Sequence, residues 1–221
     1  PVWEENTLYP YQTSTYQPYV ASTDANDTLL GTGARVVTIS GNNAIGEMQS
    51  EDIEMNGLTP VQSQLQWSRN YRMRVKSAGS SKKALGNIYT GLGTFTSGIP
   101  TIKLAKIVDG NNTSLMTLMT VPLGYTIAIT GISYSTADSK PVIFKNKVRL
   151  NSSVFDTESV FTVKRIIQLG SEGNYVRDLN PPSVFPELTD IETNCEVSIN
   201  GTGAEASFKY TLIPNDWYER R

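Results

Sequence analysis

The chain has 221 residues and a net charge of −2, so its overall charge offers no general attraction to nucleic acid. Hydrophobic content is 38% and charged content 18%, with Ser, Thr and Asn filling the gap, a shift that favours strands and turns over helices. The chain has no histidine and one cysteine, Cys195, which excludes Ser-His-Asp and Cys-His catalysis, imidazole zinc sites, thiolate clusters and an intrachain disulfide.

Residues 1–34 read as an extended, aromatic-rich arm. The opening PVWEEN lacks the basic region and apolar run of a secretory signal, so cytoplasmic synthesis is the expectation. Trp3, Tyr9, Tyr11, Tyr16 and Tyr19 alternate with Pro10 and Pro18, and no Lys or Arg precedes Arg35. Proline and the lack of apolar periodicity argue against a helix or a central strand. Five large rings are too many for a solvated tail, so they should dock on a surface, either of their own domain or of a neighbouring chain.

Residues 35–98 read as a small β domain. VVTIS (36–40) leads to a turn at Gly41-Asn42-Asn43, and EDIEMNG (51–57) alternates Ile53 and Met55 against acids before an Asn-Gly turn signal. LTPVQSQLQW follows, then YRMRVKSAG, which alternates Met73 and Val75 against Arg72, Arg74 and Lys76. The small basic clusters read as solvated strand faces. The Gly/Ser-rich GLGTFTSGIP marks a domain boundary near residues 91–100.

Residues 99–214 are denser in strands: 102–108, 114–121, 125–135, 142–150, 159–169, 189–199 and 206–213, with DGNN, PLG, ADSKP, NSS, GSEGN, NPPS and NGTG as turns between them. Seven or more strands without a convincing amphipathic helix call for an all-β, antiparallel β-sandwich, jelly-roll-like in its connections. Residues 110–137 are uncharged, but Pro122 and Gly124 interrupt them, polar Thr and Ser recur, and Ile127 and Ile129 alternate with Thr126, Ala128 and Thr130. That pattern is two strands about a turn, not a membrane span. Its uncharged outer face requires cover from a second sheet or from another subunit.

The acids Glu51, Asp52 and Glu54, and Glu187, Asp190 and Glu192, are the sole material for a carboxylate dyad or a calcium site. In each cluster alternation makes some of the acids polar partners of Ile53, Met55 and Ile191, so solvated strand faces are expected and no catalytic residue, metal or cofactor is assigned. The tail 215–221 carries Trp217, Tyr218 and Arg220, residue types that dominate interface anchors; folding back on the sandwich is the alternative.

Two blocks of the chain resemble structural proteins of tailed bacteriophages, particularly of marine and cyanobacterial phages. One is VVTISGNNAIGEMQSEDIEMNGLTPVQSQLQWSRNYRMRVKSAGSS (36–81). The other pairs VPLGYTIAITGISYS (121–135) with PPSVFPELTDIETNCEVSINGTGAEASFKYTLI (181–213). The resemblance implies a non-enzymatic virion component, made in the host cytoplasm, whose partners are other capsid or tail proteins and further copies of itself. A capsid decoration or vertex protein assembling through the arm is the leading expectation. A tail or neck component that binds a receptor or host glycan is the alternative, with Tyr89 and Tyr175 as contacts and Trp67 expected in the core. Neither nucleic acid nor a membrane is expected as a partner.

Overall fold

The computed structural model describes residues 2–5, 7–137, 141–170, 172–197 and 203–218, with residue 218 described by its backbone alone. It divides into two compact units, Trp3–Met116 and Thr117–Arg221, the latter joined by Pro1–Val2.

The first unit contains β1 (Tyr19–Ser22), β2 (Ala34–Asn43), β3 (Met48–Glu54), β4 (Val61–Gln62), β5 (Trp67–Ala78), β6 (Ile88–Thr96) and β7 (Ile99–Ile107). They form two antiparallel sheets ordered β4-β1-β6-β7 and β3-β2-β5. Strand alternation turns Val37, Ile39, Ile53 and Met73 of one sheet onto Val20, Ile88 and Ile107 of the other, and Trp67 completes this core. The hydroxyl of Thr90 on β6 reaches the sulfur of Met73 on β5 at 3.0 Å, which puts the two inner faces in direct contact.

The second unit contains β8 (Leu118–Thr120), β9 (Tyr125–Thr136), β10 (Val142–Arg149), β11 (Thr162–Leu169), β12 (Asn174–Phe185), β13 (Asp190–Val197) and β14 (Ala204–Pro214), then a 3-10 turn at Asn215–Tyr218. Its antiparallel sheets are ordered β11-β10-β13-β8 and β12-β9-β14. Tyr134 on β9 stacks on Phe144 of β10 with ring centroids 4.8 Å apart, and its phenol donates to Asn146 Oδ1 at 2.6 Å. A one-residue irregularity at Thr130, between the pairs Lys209–Gly131 and Tyr210–Ile129, shifts β9's buried set from Ile127 and Ile129 to Ile132 and Tyr134.

The chain is therefore an all-β antiparallel sandwich, as the composition demanded. A jelly roll places eight strands in two four-stranded sheets; each unit here has seven described strands, four and three, and jelly-roll connectivity is not confirmed.

Several local expectations differ from the structure. The division falls at Met116/Thr117 and not near residue 98, because GLGTFTSGIP is the β6–β7 hairpin. Thr96 pairs with Ile99 across Ser97 (φ 49°) and Gly98 (φ 82°), the two positive-φ positions of a tight hairpin turn. Residues 19–22 leave the arm to become β1, an interior strand between β4 and β6, which Pro18 permits because it stands just ahead of the strand. Gly41-Asn42-Asn43 continues β2, and the chain reverses at residues 44–47. NPPS lies within β12, an edge strand whose ladder skips from Asp178 to Ser183 and so spares Pro181 and Pro182 the N–H they lack.

The two strands about Pro122 and Gly124 are present, but they belong to different sheets. The Tyr125 N–H closes the turn on the Pro122 carbonyl at 3.2 Å, with Gly124 at φ +81°, and the chain passes from β8 in one sheet to β9 in the other. Among the described residues no helix is long and apolar enough to cross a membrane. Ile127, Ile129, Ile132 and Tyr134 are buried, and Tyr134 packs on Phe144 of the other sheet. On the opposite face of β9, Thr126, Ser133 and Ser135 are half-buried, and that face is flanked by Val176 and Val184, 69% and 58% exposed.

Candidate interaction surfaces

The five rings of the N-terminal segment assemble on their own unit, so the arm is not free for a neighbour in this structure. Trp3 is buried, bridges to Met116, and donates its indole N–H to the Thr7 carbonyl at 2.8 Å. Buried Tyr9 lies edge-on to Trp3 and Tyr11, at 5.9 and 4.9 Å, and its hydroxyl donates to the Asn70 carbonyl at 2.7 Å. The Arg69 guanidinium stands 5.3 Å over the Tyr11 ring. Tyr16 exchanges both backbone hydrogen bonds with Trp67, at 3.0 and 2.9 Å, and burial pushes its phenol well above the ordinary tyrosine value. Tyr19, in β1, meets Phe95 edge-on at 6.1 Å. Each aromatic pair is worth about 0.5–1.5 kcal/mol beyond its area, which is why a proline-spaced chain without periodicity still docks.

Charge reinforces the docking. Glu5 pairs with Lys103 and, at 3.0 Å, with Lys106, and both ammonium groups lie 5.5 Å from the Tyr89 ring centroid. Burial pushes the Glu5 carboxyl up, but hydrogen bonds and charge from the two lysines outweigh it and hold the group below its usual range. Lys106 is held above its ordinary value: burial lowers it, and Glu5 more than compensates. Glu4 behaves oppositely. Burial raises it, outweighing the Leu115 N–H that donates to one oxygen at 2.6 Å and the charge of Lys106; the other oxygen is buried without a hydrogen-bond partner among the described residues.

The expected glycan contacts fare differently. Tyr89 is 4% exposed beneath its two lysines and presents no face on which a sugar could stack. Tyr175, half-buried on β12, lies nearly parallel to Tyr134 at 6.1 Å. Trp67 is a core residue whose indole donates to Ser63 Oγ at 2.8 Å. In the tail, Trp217 is 52% exposed on a turn anchored by Asn215, which donates its backbone N–H to Gly124 at 2.9 Å and its amide to Glu187 at 2.9 Å. Tyr218 is described by its backbone only, and Arg220 lies outside the described residues.

Of the acids singled out in the sequence, Glu54 is exposed at the end of β3, and Glu51, Asp52 and Asp190 are bound into the scaffold. Glu51 accepts from Ser63 and, at 2.7 Å, from the Gln64 N–H; Asp52 pairs with Lys76 and accepts from Thr38 at 2.7 Å. Asp190 is fully buried and accepts from Arg149 Nε at 2.9 Å, Asn151 at 2.8 Å and Thr120, while Phe161 covers the Arg149 guanidinium at 4.8 Å. Sequence reading missed the chief buried carboxylate of the first unit, Asp27. It accepts four hydrogen bonds, from Ser22 Oγ (2.6 Å), Ala34 N (2.7 Å), Leu85 N (3.0 Å) and Gly86 N (2.9 Å). Its setting, STDANDT, reads as an ordinary polar loop, and nothing local signals its distant donors. Among the described residues no cluster of three acids or sulfur ligands is placed to hold a metal ion.

No protein-family model and no curated protein matches the chain. A solved structure of the Gx strain of infectious bursal disease virus aligns with 97% of this chain and 77% of that one, at 10% identity and a TM-score of 0.30. A likeness at that score supports no inference about function.

Proposed function

We propose that the chain is a non-enzymatic structural component of a tailed-phage virion, with a capsid-decorating or vertex position, in contact with other virion proteins. The observation that carries this reading is where the two resembling blocks fall. Residues 36–81 run through β2 to β5 of the first sandwich, and residues 121–135 with 181–213 run through β9 and β12 to β14 of the second. The likeness thus follows β2, β3 and β5, which supply one inner face of the first core, and β9 and β13 of the second unit. The occupation of Glu51, Asp52 and Asp190 by structural hydrogen bonds supports it further.

Docking of the arm in cis moves the expected assembly contacts elsewhere, to the exposed Val176 and Val184 and to Trp217. Mass spectrometry of purified particles, followed by cryo-EM location of the chain, tests the reading. Stoichiometric density on the capsid is the expected result, and absence from the particles refutes it. Density at the tail or neck would favour the receptor-binding alternative, in which Trp217, and not Tyr89, supplies an accessible ring.

A further inference from the structure

The two edges of the β12-β9-β14 sheet are built differently. β12 is guarded: Pro181 and Pro182 interrupt it, and its ladder slips between Asp178 and Ser183. β14 carries no proline before Pro214, and no described strand pairs with its far side. Its backbone directions follow from two contacts. The Lys209 carbonyl faces β9, where it accepts the Thr130 hydroxyl at 3.3 Å, whereas the Ala206 carbonyl accepts the Thr117 hydroxyl at 2.6 Å. Odd-numbered residues therefore address β9, and Ala204, Ala206, Phe208 and Tyr210 turn their backbone groups to the open edge. Ala206 retains the second lone pair of its carbonyl for a further donor.

The side chains along this edge form a palindrome of charge and size. Glu205, Ser207 and Lys209 are exposed on one face. Glu205 accepts from the Ser135 hydroxyl at 3.2 Å, and Lys209 has no ion-pair partner among the described residues. Four strand residues separate the two charges by about 13 Å, too far to meet within one chain. On the other face Ala204 and Ala206 are small, while Phe208 and Tyr210 are large, ring-to-ring at 5.7 Å, and Tyr210 is 41% exposed.

We propose that β14 pairs antiparallel with β14 of a second copy, about a two-fold axis at Ser207, to form a continuous six-stranded sheet. Glu205 then lies opposite Lys209 of the second copy and Lys209 opposite its Glu205, while Ala206 faces Phe208 and Ala204 faces Tyr210, small against large. Centring the pair on Phe208 would set Lys209 opposite Ser207 and Glu205 opposite Thr211; centring it on Ala206 would set Lys209 opposite Gly203. Charge selects Ser207 among these. A lysine on an edge strand ordinarily deters pairing; here the matched glutamate converts it into a selector of register. The inference rests on β14 alone and goes beyond the virion reading.

Sedimentation velocity of the full chain over roughly 1 to 100 μM tests it. The unaltered protein should dimerise, and Glu205→Lys and Lys209→Glu should each be monomeric, with thermal melting that matches the parent's when all are diluted below the dimerising range, since both positions are exposed. An equimolar mixture of the two variants should recover the dimer, because one strand then carries two lysines and the other two glutamates. A monomeric parent protein, single reversals that leave the dimer intact, or a mixture that stays monomeric would overturn the proposal. Failure to find the chain in particles would leave the dimer result untouched, so the two readings fail separately.

Discussion

Replacing Asp27 tests whether one carboxylate ties the N-terminal third of the first unit to its core. The side chain is fully buried and receives three backbone N–H groups and one hydroxyl, at 2.6–3.0 Å. Asp27→Ala leaves the N–H groups of Ala34, Leu85 and Gly86 without their acceptor. Each buried orphan costs about 1–3 kcal/mol, and entry of water into the vacated volume recovers part of that, so a net loss of about 3–5 kcal/mol is expected. Asp27→Asn keeps one acceptor oxygen for Ala34 and Leu85 but points an amide N–H at that of Gly86, and should cost about 1–3 kcal/mol. Urea unfolding followed by far-UV circular dichroism gives both values from the midpoint, provided the slope is unchanged. An alanine variant within about 0.5 kcal/mol of the parent would refute the donor count, and an asparagine variant as damaging as alanine would refute the acceptor argument.

Arg149→Ala should cost the second unit about 3–5 kcal/mol, read by thermal melting, because it strips the principal cation from fully buried Asp190. Glu5 titrates below its unfolded value of 4.5, so its contribution is present above that value and lost as pH falls through the folded one. Glu5→Gln should accordingly lower the melting temperature at pH 7 and converge with the parent in acid. Glu4 has the opposite sign: its folded value is raised, so its contribution is lost as pH rises, and Glu4→Gln should flatten that loss in the same pH series. Trp67→Ala should cost about 3–5 kcal/mol, whereas Trp217→Ala, half-exposed on its turn, should cost under about 1 kcal/mol by denaturant titration.

Legibility followed the range of the forces involved. Ile53, Met55 and Met73 were readable as buried because period-two alternation is local, and β3, the residue that follows it and β5 present them inward as that pattern requires. Ile127 and Ile129 obey the same rule until Thr130, where an irregularity no local signal announces exchanges the faces. The Gly-rich run at 91–98 was misread because glycine serves hairpins and linkers alike, and what decides is pairing to β7. The arm's destination was illegible for a different reason. Trp3 and Tyr9 find their partners at Met116 and Asn70, and such contacts between distant residues leave no trace in the composition of the arm. The exposed acids were read correctly as polar strand partners at Asp52, but Asp27 and Asp190 show that a buried carboxylate is recognisable only once its donors are assembled around it.

The bridge between Trp3 and Met116, with the Leu115 N–H on Glu4, bears on how the chain is made. Among the first residues of the unit to leave the ribosome are those that must wait longest, because their partners are synthesised at its other end. The sheets can pair progressively as β2 to β7 appear, and Tyr9, Tyr11 and Tyr16 can find Asn70, Arg69 and Trp67, but Trp3 and Glu4 lack Met116 and Leu115 until residues 115–116 emerge. A nascent chain stalled before that point should therefore hold a paired sandwich with its leading segment still open to proteases or chaperones. One stalled well beyond it should be closed.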